Sequence, residues 1–580
     1  MKSGKYSSLF LPCSRAELEK QGISRPDVIL VSGDAYIDSP YCGVAVIGRV
    51  LQDAGFSVGI IPQPDLQTGR DICALGEPRL FWGVSGGCVD SEVANYTALG
   101  KPRRSCDFTP GCKNTRRPDR ALIAYTNLIR RFFKATVPII LGGLEASLRR
   151  IAHYDLRKDN IRRSVLLDSK ADLLVYGMGE RPALQIARVL DKGRGLQGIP
   201  GTCEMGKDVP EGYFRLPAFE EVQNDPGAFA EMFRQFYVRA MQDHGPGLAQ
   251  AYGNRYLLQH PPAGPMTRSE LDHIQELPFM HDAHPDCKAK GEIKALQTIQ
   301  DSIVTHRGCY GECSFCSIAV HQGRRIINRS RQSILREAER MASSPGFKGV
   351  LKDVGGPTAN MYASGCKRLN RGEPCLDRSC IGYQGVCPEL KPGHKAQMRL
   401  LQDLEALPGV KRVQVASGVR HDLVLADRSF GRQYLEQLLQ RHVSGQLKIA
   451  PEHSKEQVLE LMNKPAAEQA AQFVRLFEQV CASVGKRLYL SCYVIAAHPG
   501  CKLEDMRQFL EFAKSRLHFV PQQVQIFTPL PCTRSTVMYH SGLDPVSGRE
   551  VSSERGLQGK KQQKEVLFDK ASRGRKGRGR

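Results

Sequence analysis

Short apolar runs that read as buried strands alternate with amphipathic helical stretches in two separate parts of this chain, which leaves few folds open. Residues 27–33 form an apolar run ending in glycine, as a buried parallel strand does. Residues 43–54 keep Val46, Val50 and Leu51 on one side, and Gly55 supplies a helix stop. Further strand-like runs lie at 56–61, 79–84, 137–141 and 171–176, with a helical stretch at 120–134. This order predicts a doubly wound, Rossmann-like α/β domain over residues 1–190, with ligands expected at the strand carboxyl ends. Two of those ends are glycine-rich, Gly83-Val-Ser-Gly-Gly87 and Gly142-Gly-Leu-Glu145, although glycine after a strand also serves a turn alone.

Residues 191–295 are richer in Pro and Gly and read as a connecting region with a few amphipathic helices, 228–242 among them. The alternation resumes over 296–545, with strand-like runs at 302–305, 349–354, 412–416, 447–450, 488–495 and 523–527. Six β/α units predict a full or partial barrel whose working face is the carboxyl end of its strands.

The chain of 580 residues is long enough for several domains, and no uncharged run approaches the ~18–20 residues that span a bilayer. The first twenty residues lack the apolar core of a secretory signal, so the expected location is the cytoplasm. There, nineteen cysteines read first as metal ligands or small buried hydrophobes rather than as disulfides. Twelve are scattered, and seven fall between 309 and 387.

Three of the seven lie on one short loop after the first barrel strand, Arg307-Gly-Cys-Tyr-Gly-Glu-Cys-Ser-Phe-Cys316. Thiolates of Cys309, Cys313 and Cys316 can hold three corners of a cubane iron–sulfur cluster and leave the fourth iron open to a small molecule. A zinc site with a distant fourth ligand is the competing reading, but such sites more often use paired Cys-x2-Cys knuckles.

This Cys-x3-Cys-x2-Cys loop, with the aromatic Phe315 before its last cysteine, resembles the signature of radical S-adenosylmethionine (SAM) enzymes. Asp353-Val-Gly-Gly-Pro357 is similar to that superfamily's segment contacting the SAM methionine group. Ala416-Ser-Gly-Val-Arg420 and Ile449-Ala-Pro-Glu-His453 fall where the superfamily binds SAM carboxylate and ribose, and Pro529-Leu-Pro-Cys-Thr533 resembles a closing segment of such barrels. Segments from about 25 to 545 are similar to YgiQ-type radical SAM proteins. They include Asp34-Ala-Tyr-Ile-Asp-Ser-Pro40, Lys101-Pro-Arg103, Arg117-Pro-Asp-Arg120, Ser302-Ile-Val-Thr-His-Arg-Gly308, His321-Gln-Gly-Arg324 and Ala497-His-Pro-Gly500.

The resemblance implies a [4Fe–4S] cluster on Cys309, Cys313 and Cys316 and SAM against Phe315, Asp353, Gly355, Gly356, Ser417, Arg420 and Glu452. Phe315 would pack on adenine, and Arg420 would pair with the SAM carboxylate or form a strand-end salt bridge. It further implies reductive cleavage of SAM to a 5′-deoxyadenosyl radical that abstracts hydrogen from an unassigned substrate, and an electron donor such as flavodoxin or ferredoxin. An open α/β domain before such a barrel is similar to cobalamin-dependent members. This chain lacks their Asp-x-His-x-x-Gly motif, so cobalamin is not expected.

Cys366, Cys375, Cys380 and Cys387 follow in a charged stretch, 360–392, with no visible core. Their spacing fits neither zinc knuckles nor ferredoxin runs, so structural zinc, an auxiliary iron–sulfur cluster and no metal all stay open. His281, His284 and Cys287 have ligand-like spacing but read as a Pro-containing turn with solvated histidines. The net charge of +22 is partly local, since residues 556–580 carry nine Lys/Arg against two Asp/Glu. Residues 546–580 are expected to be a disordered basic tail able to attract nucleic acid, which leaves a metal-dependent RNA binder, or a radical SAM enzyme acting on RNA, as alternatives.

Overall fold

The structure, a computed structural model, describes residues 9–240, 242–370, 375 and 379–568. It divides into two compact units, one running to Ser302 and including Val320–Gly323, the other comprising Ile303–Ala319 and the chain from Arg324 onward.

The first unit is built on a nine-stranded sheet. Its strands in chain order are β1 (Val28–Ser32), β2 (Val58–Pro62), β3 (Phe81–Ser85), β4 (Ile139–Gly142), β5 (Leu173–Val175), β6 (Thr202–Gly206), β7 (Phe214–Leu216), β8 (Leu248–Tyr252) and β9 (Arg255–Gln259). They lie in the order β7-β8-β9-β6-β5-β4-β3-β1-β2. The first five are mutually parallel. All five residues of β1 are buried, as expected of a strand covered on both faces. Helix α1 (Gly43–Asp53) buries Ala45, Val46, Gly48 and Leu51. Gly48 lets it approach closely, since a Cβ there would stand 2.4 Å from Leu11 Cδ1. Arg49, on the same helix, pairs with Asp38 where neither side chain is exposed.

Residues 191–295 are not merely a connector, because β6 to β9 extend the sheet, β6 lying antiparallel to β5 and β9. The alternation that would reveal these strands is masked by buried polar side chains. Gln250 and Gln259 are 1% exposed. Gln259 accepts from Arg150 Nε at 2.9 Å, and Gln250 accepts from Ala152 N–H at 3.0 Å. Paired in this way, amides sit inside at little cost.

The second unit carries β10 (Ser302–Val304), β11 (Val350–Leu351), β12 (Asp353–Gly355), β13 (Arg412–Val413), β14 (Gln446–Glu452), β15 (Tyr489–Ala496) and β16 (Gln523–Ile526). β10 neighbours β12, β11 runs parallel to β13, and β14, β15 and β16 are parallel. Backbone bonds from Val415 to His442 and from Val419 to Lys448 join the segment after β13 to β14 and the residues leading into it. Among the described residues nothing pairs β16 with β10, so the barrel is partial. Helix α2 (Ala467–Ser483) seals it with Ala470, Phe473, Val474, Phe477 and Val480.

Part of the basic tail is ordered. Helix α3 (Leu557–Glu565) buries Lys560 and Gln563. Lys560 Nζ donates to the Tyr539 hydroxyl at 2.8 Å and lies 4.9 Å from its ring centroid. The buried face is polar, which is why composition conceals it. Residues 569–580, with the Gly/Arg run and its expected disorder, lie outside the described residues. Among the described residues no helix is long and apolar enough to cross a membrane.

Candidate active site

The three-cysteine loop follows β10 and is held by backbone bonds from two directions. Ser314 N–H donates to Met462 O at 3.0 Å, and Ser535 N–H donates to Ser314 O at 2.9 Å. Asn463, in left-handed conformation at φ 53°, directs its amide at the loop's carbonyls, 3.1 Å from Glu312 O. Glu312, itself at φ 42°, pairs with Arg324 at 3.3 Å.

Inside this frame the Cys309 and Cys313 sulfurs lie near Gly311. A Cβ on Gly311 would lie 3.2 Å from Cys309 Sγ and 3.9 Å from Cys313 Sγ, so a side chain there would crowd the sulfurs. Burial pushes the Cys309 thiol up, and the Cys313 sulfur adds to this. Burial and Cys313 hold Cys316 up to about 12. Three soft, half-buried thiols on one short loop make a donor set suited to iron–sulfur chemistry, and binding would displace their protons. Among the described residues no three Cys, His, Asp or Glu side chains converge on one ion position.

The residues expected around SAM come to the same end of the barrel. Asp353 accepts from Ala416 N–H at 2.9 Å, from Ser417 N–H at 3.2 Å and from the Ser417 hydroxyl, stapling β12 to the segment after β13. Gly356 packs close to His306, whose ring a Cβ would approach to 2.6 Å. Phe315 meets His498 edge-on with ring centroids 6.2 Å apart. Glu452 is buried at φ 69°, its carboxyl raised by burial against the opposing pull of Lys464 and Arg420. Ala497 and Cys532, after β15 and β16, also take positive φ at 57° each. Three successive strand ends thus carry backbone strain of about 1–3 kcal/mol each, as working faces of enzymes often do.

Arg420 is not a free partner for a carboxylate. Its Nε donates to Asp422 at 2.9 Å and its Nη2 bonds the other carboxylate oxygen. Burial alone would raise Asp422, but Arg420 holds it well below the usual carboxylate range. Sequence reasoning missed Asp422, Asn463 and Lys464; only the Asn463-Lys464 pair closing helix Glu456–Met462 gave a local signal.

Of the other cysteines, Cys366 lies on one antiparallel strand pair, and Cys380 and Cys387 flank a short hairpin at 381–386. Cys366 pairs across with Leu390, and Cys387 N–H donates to Cys380 O at 2.8 Å. Burial raises Cys380 to about 11, with Arg324 opposing and Glu312, Cys366 and Cys375 adding. Cys380 and Cys387 share a small apolar cluster with Tyr310 and Cys309, and Asn463 also reaches Ser379 Oγ at 3.3 Å. His281, His284 and Cys287 are not gathered as ligands. His284 is buried rather than solvated: it caps helix Pro285–Ala289 and lies 3.0 Å from Glu17 Oε1.

In the first unit the sequence-flagged segments meet where β1 and β3 part in connectivity. Asp34 pairs with Arg117, Glu145 accepts from Ser91 N–H at 3.2 Å, and Arg149 pairs with Asp90. The glycines permit this contact. A Cβ on Gly33 would lie 2.1 Å from Gly86 O, and one on Gly86 would lie 2.4 Å from Glu145 Oε2.

The family model described as Radical SAM N-terminal matches residues 10–302. A UPF0313 protein of Fusobacterium nucleatum is 44% identical over 562 residues, covering 97% of this chain and 99% of that protein. The chain belongs to the UPF0313 family of radical SAM proteins. A UPF0313 protein of Thermotoga maritima is 45% identical over 571 residues, covering 97% of this chain and 100% of its own. Two solved structures of TsrM, a radical SAM methyltransferase of Kitasatospora setae, resemble the fold with a TM-score of 0.50. One holds cobalamin and a [4Fe–4S] cluster, is 16% identical and covers 88% of this chain and 77% of its own. The other holds tryptophan and a SAM analogue, is 15% identical and covers 94% and 89%. The UPF0313 radical SAM fold is therefore α/β, a large and mainly parallel sheet accompanied by a partial barrel.

Proposed function

We propose that this UPF0313 protein uses Cys309, Cys313 and Cys316 to hold a [4Fe–4S] cluster and cleaves SAM reductively to begin a hydrogen abstraction. The observation that carries the reading is the close approach of the Cys309 and Cys313 sulfurs to Gly311, on the loop that also carries the half-buried Cys316. A cluster bound there would supply one electron for reductive cleavage of SAM to methionine and a 5′-deoxyadenosyl radical able to take hydrogen from a substrate C–H bond. The chain's own residues orient and shield. The Asp353–Ser417 staple fixes the strand ends against which SAM would lie, Gly356 keeps the backbone low, and Phe315 offers a face for adenine. The electron comes from a low-potential donor of the flavodoxin or ferredoxin class. The proposal does not extend to cobalamin, because the chain lacks the Asp-x-His-x-x-Gly motif.

The test is anaerobic reconstitution with iron and sulfide, then EPR of the dithionite-reduced protein with and without SAM. A [4Fe–4S]⁺ signal that changes with SAM and is lost in the Cys309→Ala/Cys313→Ala/Cys316→Ala variant is expected. Zinc in place of a SAM-sensitive cluster would overturn the reading.

A further inference from the structure

The Arg420 guanidinium is anchored on one side and directed on the other. Asp422 engages Nε and Nη2, while Nη1 points at Cys313 Sγ, 3.7 Å away. The same Nη1 lies 3.2 Å from the position a Gly311 Cβ would take. The Arg420 backbone is fixed as well: its N–H donates to Asn360 Oδ1 at 2.8 Å and its carbonyl accepts from Asn360 Nδ2 at 3.0 Å. Arg420 is 7% exposed and Asp422 2%. A buried ion pair of this kind contributes little net stability over an apolar pair of the same size. Its direction is the informative part, since the positive end of the pair faces the sulfurs and the negative end faces away.

We propose that Arg420 is a positioning residue for the cluster, donating a charge-assisted hydrogen bond to Cys313 Sγ that raises the cluster's reduction potential. This rests on the reading that the three thiols hold the cluster. A reduced cluster carries one more negative charge than an oxidised one, so a fixed positive charge beside a ligand sulfur favours the reduced state. Asp422 keeps the guanidinium from turning toward solvent or toward a carboxylate brought by a ligand. Arg420 therefore acts through Cys313.

The experiment is an EPR-monitored redox titration of the reconstituted full chain without SAM, with iron and sulfide content measured in parallel. Arg420→Gln removes the positive end and leaves Asp422 negative, so the reduced-to-oxidised ratio at a fixed potential should fall at least tenfold, or about 59 mV for one electron. Arg420→Gln/Asp422→Asn removes both charges, avoids an unpaired buried carboxylate, and should shift the potential in the same direction by less. Arg420→Lys keeps the charge and should stay nearest the wild type. A folded, cluster-loaded double variant with an unchanged potential overturns the proposal, as does loss of iron content with the potential of the remaining cluster unmoved. If the wild type itself gives no cluster signal, the parent reading fails instead.

Discussion

Gln563, in the segment whose composition reads as a solvated tail, should stabilise the barrel through one loop. Its side-chain carbonyl accepts from Ala497 N–H at 2.9 Å and its amide donates to Cys501 O at 3.2 Å. Ala497 is 1% exposed and Gln563 2%, so Gln563→Ala strands a buried donor and a buried acceptor. Each unmet group costs about 1–3 kcal/mol, with part recovered by relaxation of Ala497 from positive φ, which gives a net loss of about 3 kcal/mol. For a unit of this size that is roughly 6–12 °C in melting temperature. The single tryptophan, Trp82, is fully buried in the first unit, so its fluorescence follows that unit, while calorimetry follows both. The expected result is a lower melting transition for the second unit with the Trp82 transition unmoved. A change below about 0.5 kcal/mol, or an equal fall in the Trp82 transition, would refute the reasoning.

Acid should weaken the two units unequally. Burial lowers His306, His421 and His453 to about 4 and His498 to about 3 in the second unit, against His153, lowered by burial to about 4, in the first. Below the unfolded value near 6.5 the unfolded chain binds protons that the native rings refuse, so stability falls from there down to about pH 4, by up to ~1.4 kcal/mol per pH unit for each ring. Glu92 in the first unit, raised by burial to about 7, acts oppositely and gains stability as pH falls. Urea midpoints between pH 7 and 5 should therefore drop more steeply for the second unit, and parallel slopes would count against it. Asp38→Ala leaves Arg49 buried without its partner and should cost the first unit about 3–5 kcal/mol by Trp82-monitored urea unfolding. Gly356→Ala, whose Cβ would meet the His306 ring at 2.6 Å, should lose about 1–3 kcal/mol and weaken SAM binding by calorimetry. Gly355→Ala, with no neighbour nearer than 3.6 Å, should leave stability nearly intact.

Legibility followed burial chemistry. β1 and the neighbouring parallel strands announce themselves because a strand covered on both faces must be apolar throughout. β8 and β9 do not, because Gln250 and Gln259 are buried yet hydrogen-bonded, and a sequence shows only that they are polar. Helix α3 stayed hidden for the same reason, its inward face being Lys560 and Gln563. The cysteine loop was legible because ligand spacing is local. Asp422 was not, because a carboxylate two residues after an arginine gains meaning only once both are buried.

The sequence by itself determined the chemistry on offer: three closely spaced thiols after a strand, glycines at strand ends, and the alternation that dictates an α/β chain. Tertiary structure decided what those groups face. Folding turned Arg420 from a candidate partner of a ligand carboxylate into an anchored donor beside Cys313, and it paired Asp34 with Arg117 and Glu145 with Ser91. Spacing along a chain fixes which atoms are near in sequence, but the energy of a charge depends on burial and on partners contributed from distant segments, and packing alone assigns those.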